Sequence, residues 1–170
     1  MCNNTNAEKK VLITGASGGI GRAIAIAASQ AGYEIIAHYN NGKDKVESLK
    51  TEIEQKGGKC SLIQFNIADR NDCNNKLEKW TEENGALWGI ILNAGICHDN
   101  AFPALSDDNW DSVIHTNLDG FYNVLKPLVM PLCRKKKGRI ITISSVSGVM
   151  GNRGQVNYSA SKAGIIGATK

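Results

Sequence analysis

The sequence predicts an α/β protein built as a doubly wound parallel sheet with helices on both faces. Three observations support this prediction. Five short runs are almost continuously aliphatic or β-branched, which is typical of strands buried on both faces of a parallel sheet. Longer amphipathic stretches separate these runs, and such alternation favours right-handed strand–helix–strand crossovers. A glycine-rich turn joins the first predicted strand to the first predicted helix, where sheets of this type bind nucleotides.

The elements alternate along the 170 residues. The predicted strands are Val11–Thr14, Glu34–Tyr39, Cys60–Asn66, Gly89–Asn93 and Arg139–Ser144. The predicted helices are Gly19–Gln30, Lys43–Lys56, Asn71–Asn84, Asp107–Lys136 and one that begins near Tyr158. Val46, Leu49 and Ile53 recur at helical spacing in the second helix, as do Leu77 and Trp80 in the third. Because no repeat or linker-like tract interrupts this order, we expect one domain over residues 1–170.

Composition and charge exclude several classes of protein. A formal charge of +4 is mildly basic and far from the charge of a nucleic-acid-binding domain. No apolar run approaches the roughly 20 residues that a membrane-spanning helix needs. The five cysteines are scattered and form no Cys/His cluster, so the sequence predicts neither a metal site nor a disulfide framework. We therefore expect free thiols and a cytoplasmic protein that binds neither nucleic acid nor membrane.

The turn "TGASGGIG" carries the first chemical signal. Gly15, Gly19 and Gly21 lie between a strand and a helix, where glycine permits positive φ and lets the backbone approach a pyrophosphate. The N–H groups and the partial positive charge of the helix N-terminus attract phosphate, and Ser17 can add a hydroxyl donor. A flexible turn of small residues is the alternative, but the strand–turn–helix context favours dinucleotide binding.

The end of the second predicted strand indicates which dinucleotide is preferred. An acidic residue about 20 positions after the glycines usually holds the ribose 2′-hydroxyl of NAD. Here the strand ends in a histidine, a tyrosine and two asparagines, and the first carboxylate is that of Asp44. A 2′-phosphate is tolerated at such a position, with His38, Lys43 or Lys45 nearby, so the sequence favours NADP.

A serine, a tyrosine and a lysine near the end of the sequence carry the second signal. Lys162 follows Tyr158 by four residues, so the two side chains share one face of a helix. A phenol with an ordinary pKa of about 10 is a poor acid–base group at neutral pH, and a neighbouring ammonium favours its ionised form. Ser145 directly follows the fifth strand, where it can donate a hydrogen bond to a substrate carbonyl. An exposed helix pair and a loop serine are the alternatives, and the glycine turn argues against them.

Taken together, these residues resemble the short-chain dehydrogenase/reductase family, from Lys10 to the last residue. "TGASGGIG" resembles its cofactor motif, "NAG" from Asn93 to Gly95 its fourth-strand motif, and Ser145, Tyr158 and Lys162 its catalytic residues. The resemblance implies a Rossmann-like fold and adds Asn117 as a fourth catalytic residue, which holds a water of a proton relay through Lys162. It also implies a set of cofactor contacts: Gly15, Ser17, Gly18, Ile20, Asn40, Asn66, Ile67, Asn93, Tyr158 and Lys162.

Three departures from the family pattern bear on these expectations. Gly18 stands where many NADP-dependent members have an arginine, which weakens the preference for NADP. Leu92 replaces the first asparagine of the usual "NNAG", although Asn93 is kept. Family members continue for about 70 to 80 residues beyond the position of Lys170. We therefore expect the N-terminal portion of a family-length chain, without the C-terminal strands of the family fold and with the fifth strand as an uncovered edge.

Within the family, the stretch from Gly138 to Gly167 is most similar to members that reduce 3-oxoacyl groups bound to acyl-carrier protein in fatty acid or polyene synthesis. This similarity implies NADPH as cofactor, Ser145 as a substrate contact and a homotetramer at full length. The alternatives are reduction of another small ketone, such as a sugar or steroid, and a non-catalytic cofactor-binding fragment. A basic cluster is either a solvated helix end or a docking site for the acidic carrier: Arg134, Lys135, Lys136, Lys137 and Arg139.

Overall fold

A computed structural model describes residues 9–170. Its five strands are β1 (Lys10–Ile13), β2 (Glu34–Tyr39), β3 (Cys60–Gln64), β4 (Gly89–Leu92) and β5 (Arg139–Thr142). Its helices are α1 (Gly19–Gln30), α2 (Lys43–Gln55), α3 (Arg70–Asn84), α4 (Asp107–Ile114), α5 (Gly120–Lys135), α6 (Ser147–Met150) and α7 (Val156–Thr169). A 3₁₀ turn at Phe102–Ala104 precedes α4, and a π-helical turn at His115–Asp119 joins α4 to α5.

All strand pairs are parallel, and the strand order is β3-β2-β1-β4-β5. The order reverses beside β1, because the chain runs outward to β2 and β3 and then returns to β4 on the other side. The predicted doubly wound parallel sheet is therefore confirmed. In sheets of this kind, the ligand crevice lies at the carboxyl ends of the strands, beside such a reversal.

Alternating side chains of β1 build a separate core on each face of the sheet. Val11 and Ile13 pack on the face covered by α1 and α2, together with the predicted stripe of Val46, Leu49 and Ile53. Leu12 points to the opposite face, where the core includes Leu77, Trp80, Val124 and Leu128 of α3 and α5. Because both faces of β1, β2 and β4 are covered, their central residues are mostly apolar, which explains the aliphatic runs; β5, at the edge of the sheet, is largely exposed.

The predicted helix over Asp107–Lys136 is helical from Asp107 to Lys135, with Lys136 in a left-handed conformation at its end, and it is not one regular α-helix. The wider turn at His115–Asp119 interrupts it, and Pro127 and Pro131 lie inside α5. The short helix α6 between β5 and α7 has no counterpart among the predicted elements. No helix within residues 9–170 is long and apolar enough to cross a membrane. Cys60, Cys73, Cys97 and Cys133 are free thiols, and Cys2 lies outside the described residues.

Candidate active site

A cavity of about 770 Å³ lies at the carboxyl ends of the strands. The turns that follow β1 to β4 line one side of it, and the end of α4 with the π-helical turn lines the other. Eight of the ten predicted cofactor contacts belong to this lining: Gly15, Ser17, Gly18, Ile20, Asn40, Asn66, Ile67 and Asn93. The remaining two, Tyr158 and Lys162, lie on α7.

The glycine turn is tightly packed where it enters the cavity. Gly15 has φ +68°, and a Cβ there would lie 2.9 Å from Cα of Ala94. A Cβ on Gly21 would lie 2.3 Å from the carbonyl oxygen of Gly15. The first bond within α1 runs from the N–H of Arg22 to the carbonyl of Gly18, at 2.8 Å. The N–H groups of residues 19–21 therefore have no partner within the helix, and these residues line the cavity.

Three hydrogen bonds join the ends of β1 and β4. The Asn93 amide donates to the backbone carbonyl of Thr14 at 3.0 Å. The Thr14 hydroxyl in turn accepts from the backbone N–H groups of Asn93 and Ala94, both at 3.0 Å. Thr14 is buried, and the sequence gives no separate signal for its role. Leu92, which replaces the family's asparagine, is buried in the second core cluster, so this position contributes apolar packing here.

The end of β2 contributes three residues to the cavity lining: His38, Asn40 and Asn41. Asn40 and Asn41 line the cavity, and Lys45 lines an adjoining hollow with Ser17. His38 is only 2% exposed, and burial lowers the pKa of its ring to about 4. His38 thus lies at the cavity, as its position predicts, but its ring is neutral at pH 7 and offers no positive charge to a 2′-phosphate.

Lys162 lies beside Tyr158 on α7, in an almost closed environment. The Lys162 side chain is 4% exposed, and its Nζ donates to the carbonyl of Ile143 at 2.7 Å. Nζ lies 5.6 Å from the ring centroid of Tyr158. A Cβ built on Gly95, in the cavity lining, would lie 3.5 Å from Nζ. Burial lowers the pKa of Lys162. The ammonium thus lies next to both the phenol ring and the cavity wall formed by the turn after β4.

Ser145 and Asn117 lie on two other segments, each of which is hydrogen-bonded to α7. Ser145 follows β5, and its hydroxyl accepts from the N–H of Ser147 at 3.2 Å. The preceding Ser144 donates to the backbone carbonyl of Lys162 at 2.9 Å, which holds the end of β5 against α7.

Asn117 is buried in the π-helical turn, where its side-chain amide makes three hydrogen bonds. Its oxygen accepts from the N–H of Ile96 at 2.8 Å, and its nitrogen donates to the carbonyl of Ile96 and the hydroxyl of Ser161, both at 3.0 Å. The side chain of Asn117 therefore connects the turn after β4 to α7.

Several contributors to the site carry no recognisable sequence signal. Ser112, His115 and Thr116 line the cavity because α4 and the π-helical turn pack across its mouth. Gln155, just before α7, donates to Asp99 at 2.9 Å, and Asp99 accepts from the thiol of Cys97 at 2.5 Å. The contact between Gln155 and Asp99 joins residues 56 apart in sequence, so residue spacing could not predict it.

Comparison with known proteins gives a consistent assignment. A family model described as short chain dehydrogenase matches residues 9–170. The chain is 52% identical over 164 residues to the 3-oxoacyl-(acyl-carrier-protein) reductase FabG of Aggregatibacter actinomycetemcomitans, covering 96% of this chain and 68% of that protein. It is 41% identical over 162 residues to the corresponding reductase of Staphylococcus aureus, covering 95% and 66%. For the reductase of Thermotoga maritima, identity is 39% over 162 residues, covering 95% and 65%. The chain thus spans about two thirds of the length of these relatives.

Proposed function

This chain belongs to the short-chain dehydrogenase family, and we propose that it carries the cofactor site and catalytic residues of an NADPH-dependent 3-oxoacyl-(acyl-carrier-protein) reductase. The reaction converts a carrier-bound 3-oxoacyl thioester to its 3-hydroxyacyl form. One observation carries the proposal: buried Lys162 lies between the ring of Tyr158 and the wall of a cavity large enough for a dinucleotide. The 52% identity to a reductase of that name supports the choice of substrate.

The residues around the cavity fit a nicotinamide dinucleotide, the cofactor that membership of the family implies. A Cβ on Gly15 or Gly21 would collide with backbone, so the close-packed turn at the helix N-terminus depends on glycine. We assign the pyrophosphate to this turn and the ribose of the adenosine half to Asn40 and its neighbours. When bound, NADPH supplies a hydride for the carbonyl carbon of the substrate.

The preference for NADP over NAD rests on charge. Asn40 and Asn41 line the cavity where a carboxylate would repel a 2′-phosphate. Lys45 and Arg22 line the adjoining hollow with Ser17, where their two positive charges outnumber the one carboxylate, that of Asp44. Arg22 is itself paired with Glu52 at 2.6 Å, so we expect Lys45 to contribute more of the attraction.

Tyr158 acts as the proton donor in the proposed mechanism. As the carbonyl is reduced, the Tyr158 hydroxyl donates its proton to the oxygen that becomes the alcohol. The Lys162 ammonium stabilises the phenolate that remains, and burial of Lys162 strengthens this attraction because little water screens it. The Ser145 hydroxyl orients the carbonyl oxygen by a hydrogen bond. Both amide N–H groups of Asn117 are used by Ile96 and Ser161, so a relay water at Asn117 would donate to one of its carbonyl oxygens.

Acyl-carrier protein is the proposed partner, docked at the basic cluster formed by Arg134, Lys135, Lys136, Lys137 and Arg139. All five residues are exposed. The cluster lies around the start of β5, whereas Ser145 lies just beyond its end. The six residue steps from Arg139 to Ser145 span at most about 20 Å. Docking there therefore requires a long, flexible link between the carrier and its acyl group. Assembly into a homotetramer and a cytoplasmic location remain predictions from the sequence.

Replacing Tyr158 with phenylalanine tests the proposed function. In the protein that carries this chain, Tyr158→Phe should lower kcat for a 3-oxoacyl thioester by at least about 10²-fold, the usual contribution of a general acid. NADPH affinity should change little, which a fluorescence titration measures. Reduction of the thioester at a near-normal rate by this variant contradicts the assigned mechanism. Faster turnover of a sugar or steroid ketone by the unsubstituted protein contradicts the assigned substrate.

A further inference from the structure

His38 is a buried titratable residue that the proposed mechanism does not use. The N–H of Gly15 donates to Nδ1 of His38 at 3.1 Å. On the other side of the ring, Nε2 lies 2.9 Å from the carbonyl oxygen of Phe65. Because a carbonyl only accepts, Nε2 must carry the proton, and Nδ1 is then free to accept from Gly15. The environment therefore selects one neutral tautomer and uses both ring nitrogens.

The surroundings keep the ring neutral and fixed. His38 is 2% exposed, and the ring of Phe65 lies against it with centroids 4.0 Å apart. Burial lowers the pKa of the ring to about 4, although the hydrogen bond to Phe65 and the charge of Asp72 act in the opposite direction. Protonation of Nδ1 would place one N–H against the N–H of Gly15, so the hydrogen bond exists only with the neutral ring.

The partner of this hydrogen bond is the first residue of the glycine turn. Gly15 has φ +68°, and its carbonyl accepts from the N–H of Gly18 at 3.1 Å. The backbone carbonyl of His38 also accepts from the N–H of Ala16 at 2.9 Å. Backbone and side chain of His38 therefore hold two consecutive peptide groups of the turn against the end of β2.

We propose that His38 is a positioning residue for the dinucleotide, which holds the glycine turn in its binding conformation through the Gly15 hydrogen bond. It acts without charge, and its effect reaches the cofactor through the backbone. This inference rests on the proposed function, since it assumes that the cavity binds NADPH. If it is correct, losing the acceptor at Nδ1 weakens NADPH binding, whereas losing the donor at Nε2 does not.

Two substitutions of similar size separate the two hydrogen bonds. In His38→Asn the side-chain oxygen takes the place of Nδ1, which keeps an acceptor for Gly15 and loses the donor to Phe65. In His38→Gln the amide reaches the place of Nε2, which keeps the donor to Phe65 and loses the acceptor. We expect the Kd for NADPH, from a fluorescence titration, to rise at least 10-fold in His38→Gln and less than 3-fold in His38→Asn. The kcat at saturating NADPH should change less than 2-fold in both variants.

The outcomes distinguish this inference from the proposed function. An equal rise of Kd in both variants, or no rise in His38→Gln, overturns the positioning role. Failure of the unsubstituted protein to bind NADPH overturns the proposed function, and the inference with it. A second measurement does not depend on how the variants fold: ¹⁵N spectra of the histidine rings in the unsubstituted protein should show His38 protonated at Nε2 at pH 7. Protonation at Nδ1 overturns the inference.

Discussion

Acidification should destabilise this protein through His38 before it affects most other groups. The ring has a pKa of about 4 in the folded chain, against an ordinary value of 6.5. Between these two values the unfolded chain binds one more proton than the folded chain, so stability falls as the pH falls. Each pH unit in this window changes the free energy of unfolding by about 1.4 kcal/mol. From pH 7 to pH 4 the loss sums to about 3 kcal/mol, a large part of the roughly 5–15 kcal/mol by which most domains are stable.

Urea unfolding at a series of pH values measures this loss, with His38→Asn as the matched control. Carboxylates also titrate toward pH 4, but they are present in both proteins, so the difference between the two slopes isolates His38. We expect the control to be less stable at pH 7, because it loses the bond to Phe65, and to lose less stability on acidification. Parallel curves for the two proteins between pH 6.5 and pH 4 refute the reasoning, since they show that burial of His38 does not suppress its protonation.

Three further predictions concern the cofactor, the glycine turn and the carrier. The unsubstituted protein should bind NADPH more tightly than NADH, and Asn40→Asp should reverse this order by repelling the 2′-phosphate; equal titration curves for the two cofactors contradict the charge argument. Gly21→Ala should destabilise the protein by about 1–3 kcal/mol and weaken NADPH binding, because its Cβ would lie 2.3 Å from the carbonyl oxygen of Gly15. The control is Gly167→Ala, whose Cβ meets nothing within 4 Å and which should not lower Tm; an equal Tm loss in both variants counts against the packing argument. Reversing the charges of Lys136 and Lys137 should raise KM for a carrier-bound substrate at low salt and leave kcat/KM for a small carrier-free thioester nearly unchanged. Lys135 is left intact, since it donates to the carbonyl of Ala86 at 2.8 Å, and a normal KM for the double variant at low salt rules out docking at the cluster.

Local sequence determined the elements that carry the site. The continuous aliphatic runs predict buried parallel strands, because both faces of such a sheet are covered, and all five strands lie within or next to their predicted ranges. The glycines of the first turn are equally informative. Gly15 has a positive φ that disfavours a side chain, and the close contact at Gly21 leaves no room for one. Both positions therefore require glycine, and the sequence shows glycine at both. The four-residue spacing of Tyr158 and Lys162 likewise sets their common helix face.

Tertiary structure decided what each polar side chain contacts. His38 lies in the cavity lining, as its position predicts, but packing against Phe65 buries the ring and keeps it neutral. The predicted helix over Asp107–Lys136 contains a π-helical turn that brings the buried amide of Asn117 to Ile96 and Ser161. Those partners lie 21 and 44 residues away in sequence. Periodicity reports only which face of an element is apolar, whereas burial of a titratable ring and pairing of a distant amide depend on which elements pack together. These contacts therefore become visible only in the folded chain.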